Sequence, residues 1–318
     1  MADKRQVMAS SNDIFSIFRE LKLMVEMSVM NKGKLLAIVL LAGAVLVDTS
    51  CWAENKRPYI SLEKAEASGL LRARITGLGG YSGECIEASL QNLKADTLFL
   101  LVEAGHQLPP GDTAIQDILL VRQDSLQILP LDSIKVSFYG FCCMAHKHSP
   151  YKDARYGTGA LASDFRLVRL AEYLGKHQHE PGAMQHAIWA VSNGHSIASI
   201  TEQNTSKQQE LREVVARLMK TVAPWYSVSF KKDSSLCSGI PETLWADIDY
   251  QVINAGFIDM ILFNESGQPV KVFFRYTPHD PDRYKYQVSL DVSTYARGTY
   301  YLRMYQDGAM KSERVIQL

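Results

Sequence analysis

The chain has no excess of charge of either sign, since 34 Lys and Arg stand against 34 Asp and Glu in 318 residues. Phosphate backbones and anionic membranes are held by a field of one sign. Basic residues here do not gather into a run interleaved with aromatics, so nucleic-acid binding is excluded from the expected functions. Also missing is any apolar run of the roughly 20 residues that a membrane-spanning helix takes. Motifs that carry a chemical mechanism are absent too: there is no nucleophile elbow, phosphate loop or metalloprotease helix. The run Gly77-Leu78-Gly79-Gly80 precedes no helix and is expected to be a turn. Cysteine is scarce, with only Cys51, Cys85, Cys142, Cys143 and Cys237.

What is present begins with an export signal. The unbroken apolar run from Leu35 to Val47 has the length of a signal-peptide hydrophobic region, and Lys32 and Lys34 supply its positive flank. Cys51-Trp52-Ala53 offers small side chains at the two positions that a signal peptidase reads, so the mature chain is expected to begin at Glu54 after a leader over residues 1–53. Translation starts at Met1 or at Met30. An exported protein can form disulfides, and Cys85, Cys142, Cys143 and Cys237 allow three full pairings among which spacing does not choose. No transmembrane anchor is expected after cleavage.

The pattern predicts a mainly β protein with a helical insertion. Residues 54–205 are expected to form an antiparallel β-sandwich with helices. Its strands are placed at Leu71–Ile75, Cys85–Leu90, Thr97–Glu103, Ile115–Arg122 and Ile134–Phe141, punctuated by Gly77 to Gly80, Asn92 to Asp96 and Pro109-Pro110-Gly111. Helical spacing follows. One helix is capped by Ser163, carries Leu167, Leu170, Ala171 and Leu174 and ends at Gly175, and a second runs from Ala183 to Val191. A linker helix over 206–224 opens with a capping box, Ser206 and Gln209, and its stripe runs from Leu211 to Val222 until Pro224.

Residues 225–318 alternate apolar and polar at Val270, Val272 and Phe274, at Tyr284 to Val292 and at Tyr300 to Met304, which predicts an immunoglobulin-like sandwich with hairpin turns at Ser266-Gly267 and Asp307-Gly308. The closing segment, Gly298-Thr299-Tyr300-Tyr301-Leu302 through Asp307-Gly308 to Leu318, resembles the C-terminal sorting domain of cargo for the type IX secretion system. That resemblance implies secretion machinery as a partner. A plain immunoglobulin-like stalk accounts for the same residues.

Chemistry concentrates in two short segments. Phe141-Cys142 and Gln185-His186-Ala187-Ile188-Trp189 resemble the paired signatures of the thioester (TQXA-like) domains of bacterial surface adhesins. The resemblance implies Cys142 as thiol and Gln185 as acyl donor, on a sandwich with inserted helices. A thiolate that attacks a glutamine amide expels ammonia and leaves an acyl–sulfur bond, which an amine or hydroxyl of a target can later open. Trp189, one turn from Gln185, would exclude water, and His186 or His146 would accept the proton.

Two bland readings stand beside it. Cys142 or Cys143 pairs with Cys85 as a staple while Gln185 satisfies buried backbone. Alternatively Cys142, Cys143, His146 and His148, with His177, His179 and His186 further on, supply metal ligands. Their spacing fits no standard site, and the histidines near Pro150 and Pro181 are expected in solvated loops, so no metal and no cofactor is expected. The expected function is an exported, non-enzymatic surface or secreted adhesion protein with an unknown surface or matrix ligand. The alternative is a disulfide-stabilised binding module without chemistry.

Overall fold

Alternating apolar side chains over Leu71 to Cys142 build two sheets that share one core, and a computed structural model describes them within residues 59–231 and 239–318. The leader, Cys51 and Cys237 lie outside the described residues. In chain order the elements are β1 (Ile60–Ser61), α1 (Leu62–Ala67), β2 (Leu71–Gly77), β3 (Ser82–Asn92), β4 (Leu98–Val102) and β5 (His106–Leu108). There follow β6 (Ile118–Leu120), β7 (Asp124–Ile128), β8 (Ser133–Cys142), β9 (Arg155–Tyr156) and β10 (Ala160–Leu161). A small sheet runs β1-β4-β7, and a large one runs β10-β5-β6-β8-β3-β2-β9. Between them lie Leu90, Leu100, Ile128 and Phe138, all buried.

The other face of the large sheet carries a helical layer: α2 (Phe165–Leu174), α3 (Pro181–Asn193) and α4 (Thr205–Met219). Period-two alternation makes this possible. Ile118 and Leu120 face the inter-sheet core, while Leu119, Phe141 and Cys143 face the helices. With both faces covered, β6 is buried at every position, and only Ile118–Leu120 of the strand expected over Ile115–Arg122 is strand. Sequence reading missed β7, whose polar residues Asp124, Ser125 and Gln127 disguise an edge strand paired to β4.

Helix starts shift by a residue or two from expectation, and the linker helix expected over 206–224 ends five residues early. Asp164, not Ser163, caps α2 by accepting from the Arg166 N–H, and Asn204, not Ser206, caps α4 by accepting from the Ser206 and Lys207 N–H groups. α4 stops at Lys220, which adopts a left-handed conformation (φ 54°), so Val222 falls outside the helix and is 86% exposed instead of packed.

The remaining strands form a seven-stranded sandwich: β11 (Ser227–Phe230), β12 (Pro241–Val252), β13 (Gly256–Asn264), β14 (Pro269–His279), β15 (Asp282–Asp291), β16 (Thr299–Gln306) and β17 (Ala309–Gln317). One sheet runs β11-β12-β15 and the other β14-β13-β16-β17, an immunoglobulin-like arrangement in which the fourth strand, β14, pairs with β13 of the second sheet instead of with β15 of the first. Leu244, Ile248, Ile258, Leu262, Val288 and Leu302 fill the space between them. Asp307-Gly308 makes the β16–β17 turn with φ of 51° and 79°, as a two-residue hairpin with positive φ at both central positions requires. On β14 the expected burial does not hold, because it is an edge strand whose pairing with β13 shifts register, and Val270 and Val272 are 38% and 42% exposed.

Arg212 of α4 joins the helical layer to this sandwich. Its guanidinium, fully buried, donates to the carbonyls of Ala198, Ile200, Pro224 and Tyr226 and to Ser227 Oγ at 2.8–3.2 Å. Residues 58–318 accordingly form one compact unit.

Candidate functional site

α3 is apolar on nearly every side, so it packs as the middle helix of its layer and carries Gln185 to the end of β8. The glutamine amide is turned inward and is 1% exposed. Its Nε2 donates to the Cys142 carbonyl at 2.7 Å, and its Oε1 accepts from the Cys142 N–H at 3.2 Å. The same N–H is shared with the Tyr81 carbonyl at 3.1 Å. An amide that grips both backbone groups of one residue continues the hydrogen-bond ladder of a strand past its last partner. The sequence-predicted pair is thus brought together across 43 positions.

The thiol of Cys142 belongs to the inter-sheet core with Cys85, Phe138 and Trp189. Burial pushes the Cys85 thiol up to about 11, and Cys142 and Cys143 still higher, with neighbouring acidic groups adding to the effect. Thiolate is the nucleophilic form, so all three are held unreactive at neutral pH. Cys85, Cys142 and Cys143 are free, which departs from the expected staple to Cys85. The reason is placement. Cys85 occupies a register shift between Glu84 and Ile86 and donates its thiol to the Gly140 carbonyl, whereas Cys142 lies further along β8 opposite Ile118, and Cys143 points to the helical face.

His186 and Trp189 meet edge to face at 5.4 Å, and His195, which sequence reading did not single out, lies 5.9 Å from Trp189. His186 Nδ1, His195 Nδ1 and Trp189 Nε1 are buried without a hydrogen-bond partner among the described residues. Burial, then the charge of His195, lowers the His186 pKa from 6.5 to about 4, and burial followed by His146 lowers that of His195. Between those two values of His186 the unfolded chain binds a proton that the folded chain does not, so stability falls as pH falls. The expected loss from His186 is about 2 kcal/mol by pH 5. Urea unfolding at pH 7 and pH 5, with His186→Gln as the comparison, measures it, and an equal loss in both proteins would discard the assignment.

A second polar cluster was not anticipated. His179 was expected in a solvated loop, yet its side chain is buried, with Nδ1 2.7 Å from Glu202 Oε1 and Nε2 3.1 Å from the Tyr173 hydroxyl. Tyr173 donates to Glu210 Oε1 at 2.7 Å, and His177 stacks on its ring at 4.1 Å. Burial and Glu210 raise the Tyr173 pKa, so the hydroxyl is not activated as a nucleophile and the cluster acts as a latch between α2 and α4. The signal missed was Glu202, a lone acid in a loop with nothing local to pair with.

The metal reading finds no geometry: Cys142 and Cys143 face opposite sides of β8, His146 and His148 are exposed, and no group of three or more His, Cys, Asp or Glu among the described residues is arranged to hold an ion. None of the described helices is long and apolar enough to cross a membrane. No protein-family model matches the chain, and no curated protein matches it.

Proposed function

We propose that the chain is an exported binding protein of the adhesion class that engages its ligand through surface clefts, without a chemical step, and that its C-terminal sandwich serves as stalk or sorting module. The observation behind this reading is the contrast between the two kinds of site. Cys142 and Gln185 are sealed in the core, whereas the clefts are open, one lined chiefly by aromatic, amide and hydroxyl side chains and another by Tyr250, Gln251 and Tyr284 among the charged Asp249, Arg283 and Lys285. On this reading Gln185 is a clasp on β8.

A second reading is favoured by one observation, the two hydrogen bonds that hold the Gln185 amide against Cys142. In it the Cys142 sulfur adds to the Gln185 amide carbon, the C–N bond breaks, and the thiol proton leaves with the nitrogen as ammonia. The amide would first have to give up its clasp, and the thiol its proton, to His186 or His146.

The intact mass of the unreduced protein recovered outside the producing cell tests both. The expected result is a chain that begins at Glu54, retains all of its nitrogen and takes up no methylamine. A mass lower by one ammonia, with methylamine incorporated at Gln185, replaces the first reading by the second. A full-length chain confined to the cytoplasm removes export from either.

A further inference from the structure

One cleft lies where the start of α4 overhangs the outer face of the three-stranded sheet, and its volume is about 480 Å³. Small-molecule sites fall at roughly 300–1,000 Å³. Thr205, Gln208 and Gln209 stand three and four positions apart on α4 and so share the helix face that looks into it. Across from them, Trp245 and Asp247 alternate on β12 opposite Ser289 and Gln287 of β15. Trp225 closes the far end, fixed by its indole N–H to the Val315 carbonyl at 2.9 Å and by the Arg314 guanidinium over its ring.

Two features of the lining select the ligand. Trp245 is 41% exposed, although a large aromatic is ordinarily buried, and among the described residues its indole N–H has no hydrogen-bond partner and its ring no aromatic neighbour. Among the described residues the lining holds no Lys, Arg or His, and its one carboxylate, Asp247, is already engaged by Gln287 at 3.0 Å and Lys285 at 3.4 Å. The charges at its margin are already engaged, Asp247 and Lys285 with each other and Arg314 with the Trp225 ring and the Asp249 carbonyl, so a charged ligand would have to compete for its counter-charge, and a purely apolar one would strip water from the amides and hydroxyls without replacing it. A molecule with flat apolar C–H faces edged by neutral hydroxyls satisfies both halves of the lining.

We infer that this cleft binds a neutral saccharide, about one or two sugar rings in extent, with one ring stacked on Trp245 and its hydroxyls bonded to Thr205, Gln208, Gln287 and Ser289. The inference rests on the binding-protein reading and gives it a ligand class. Trp245 and Ser289 lie outside the core, so both can be changed without touching the fold.

The test is calorimetric titration of the mature protein with cellohexaose, chitohexaose, mannohexaose and xylohexaose, and with a polygalacturonate fragment as the acidic control. At least one neutral oligosaccharide is expected to bind, with affinity at least about tenfold lower in Trp245→Ala and abolished in Ser289→Trp, which fills the cleft. The acidic control is expected not to bind. Neutral-saccharide binding that survives both substitutions overturns the cleft and leaves the binding-protein reading standing. Binding to none of the four overturns the saccharide inference, and the broader reading is then judged separately by the mass measurement. Preference for the acidic fragment overturns the ligand class.

Discussion

Arg212→Ala is expected to lower the free energy of unfolding by about 4–5 kcal/mol. Among the described residues the guanidinium has no carboxylate partner. It is held by four carbonyls and one hydroxyl from three separate segments: the 3₁₀ turn at Ile197–Ser199 with the residue after it, the connection at Pro224, and the first residues of the C-terminal sandwich. Burial lowers its pKa to about 10, so it stays cationic at neutral pH. Alanine leaves those carbonyls buried without a donor and opens a cavity beneath α4. Arg212→Lys keeps the charge but loses the planar fork that reaches all five acceptors, and about half of the loss is expected to remain. Chemical denaturation of the three proteins at pH 7 measures this. A loss under about 1 kcal/mol in the alanine variant would mean that the two halves are joined by other contacts.

Gln185→Ala is expected to cost about 3 kcal/mol. The Cys142 carbonyl loses its 2.7 Å donor inside the core, the Cys142 N–H retains only Tyr81, and the void lies beside Trp189. Gln185→Glu separates hydrogen bonding from volume. It keeps the size of the side chain but sets an acceptor against the Cys142 carbonyl and buries a charge, so its loss is expected to be at least as large. Cys142→Ala decides between the two roles of the pair. Because the glutamine grips backbone, removing the sulfur leaves the clasp whole, and only the smaller cost of a lost core atom group is expected, about 1–2 kcal/mol. Thermal unfolding read by circular dichroism suffices. Equal and large losses in Cys142→Ala and Gln185→Ala would show that the two side chains act as one unit, as a covalent link requires.

Only the resemblance to thioester domains paired Cys142 with Gln185; the residues themselves indicated no more than that Gln185, one turn from Trp189 on a largely apolar helix, turns inward, where an amide needs a partner. Its geometry was not legible, since the amide meets the backbone of Cys142, and backbone groups leave no mark in a sequence. The latch of His179, Tyr173, Glu202 and Glu210 went unseen for a related reason. Its members come from α2, the loops on either side of α3, and α4, and none of them is near another of opposite charge in the chain.

By itself the sequence determined what local physics controls: the mainly β character, because alternation at period two survives along most strands; the three long helices, because stripes at helical spacing mark α2 and α4 and a continuous apolar run marks α3; and the even balance of charge. Tertiary structure alone decided which strands share a sheet, that Cys85 and Cys143 project to opposite faces, that β14 lies exposed at an edge, and that Trp245 opens into a cleft beneath α4. Those outcomes depend on contacts between residues far apart in the chain. A side chain's own pattern fixes which face of its element it occupies, but only the packing of the whole decides what that face meets.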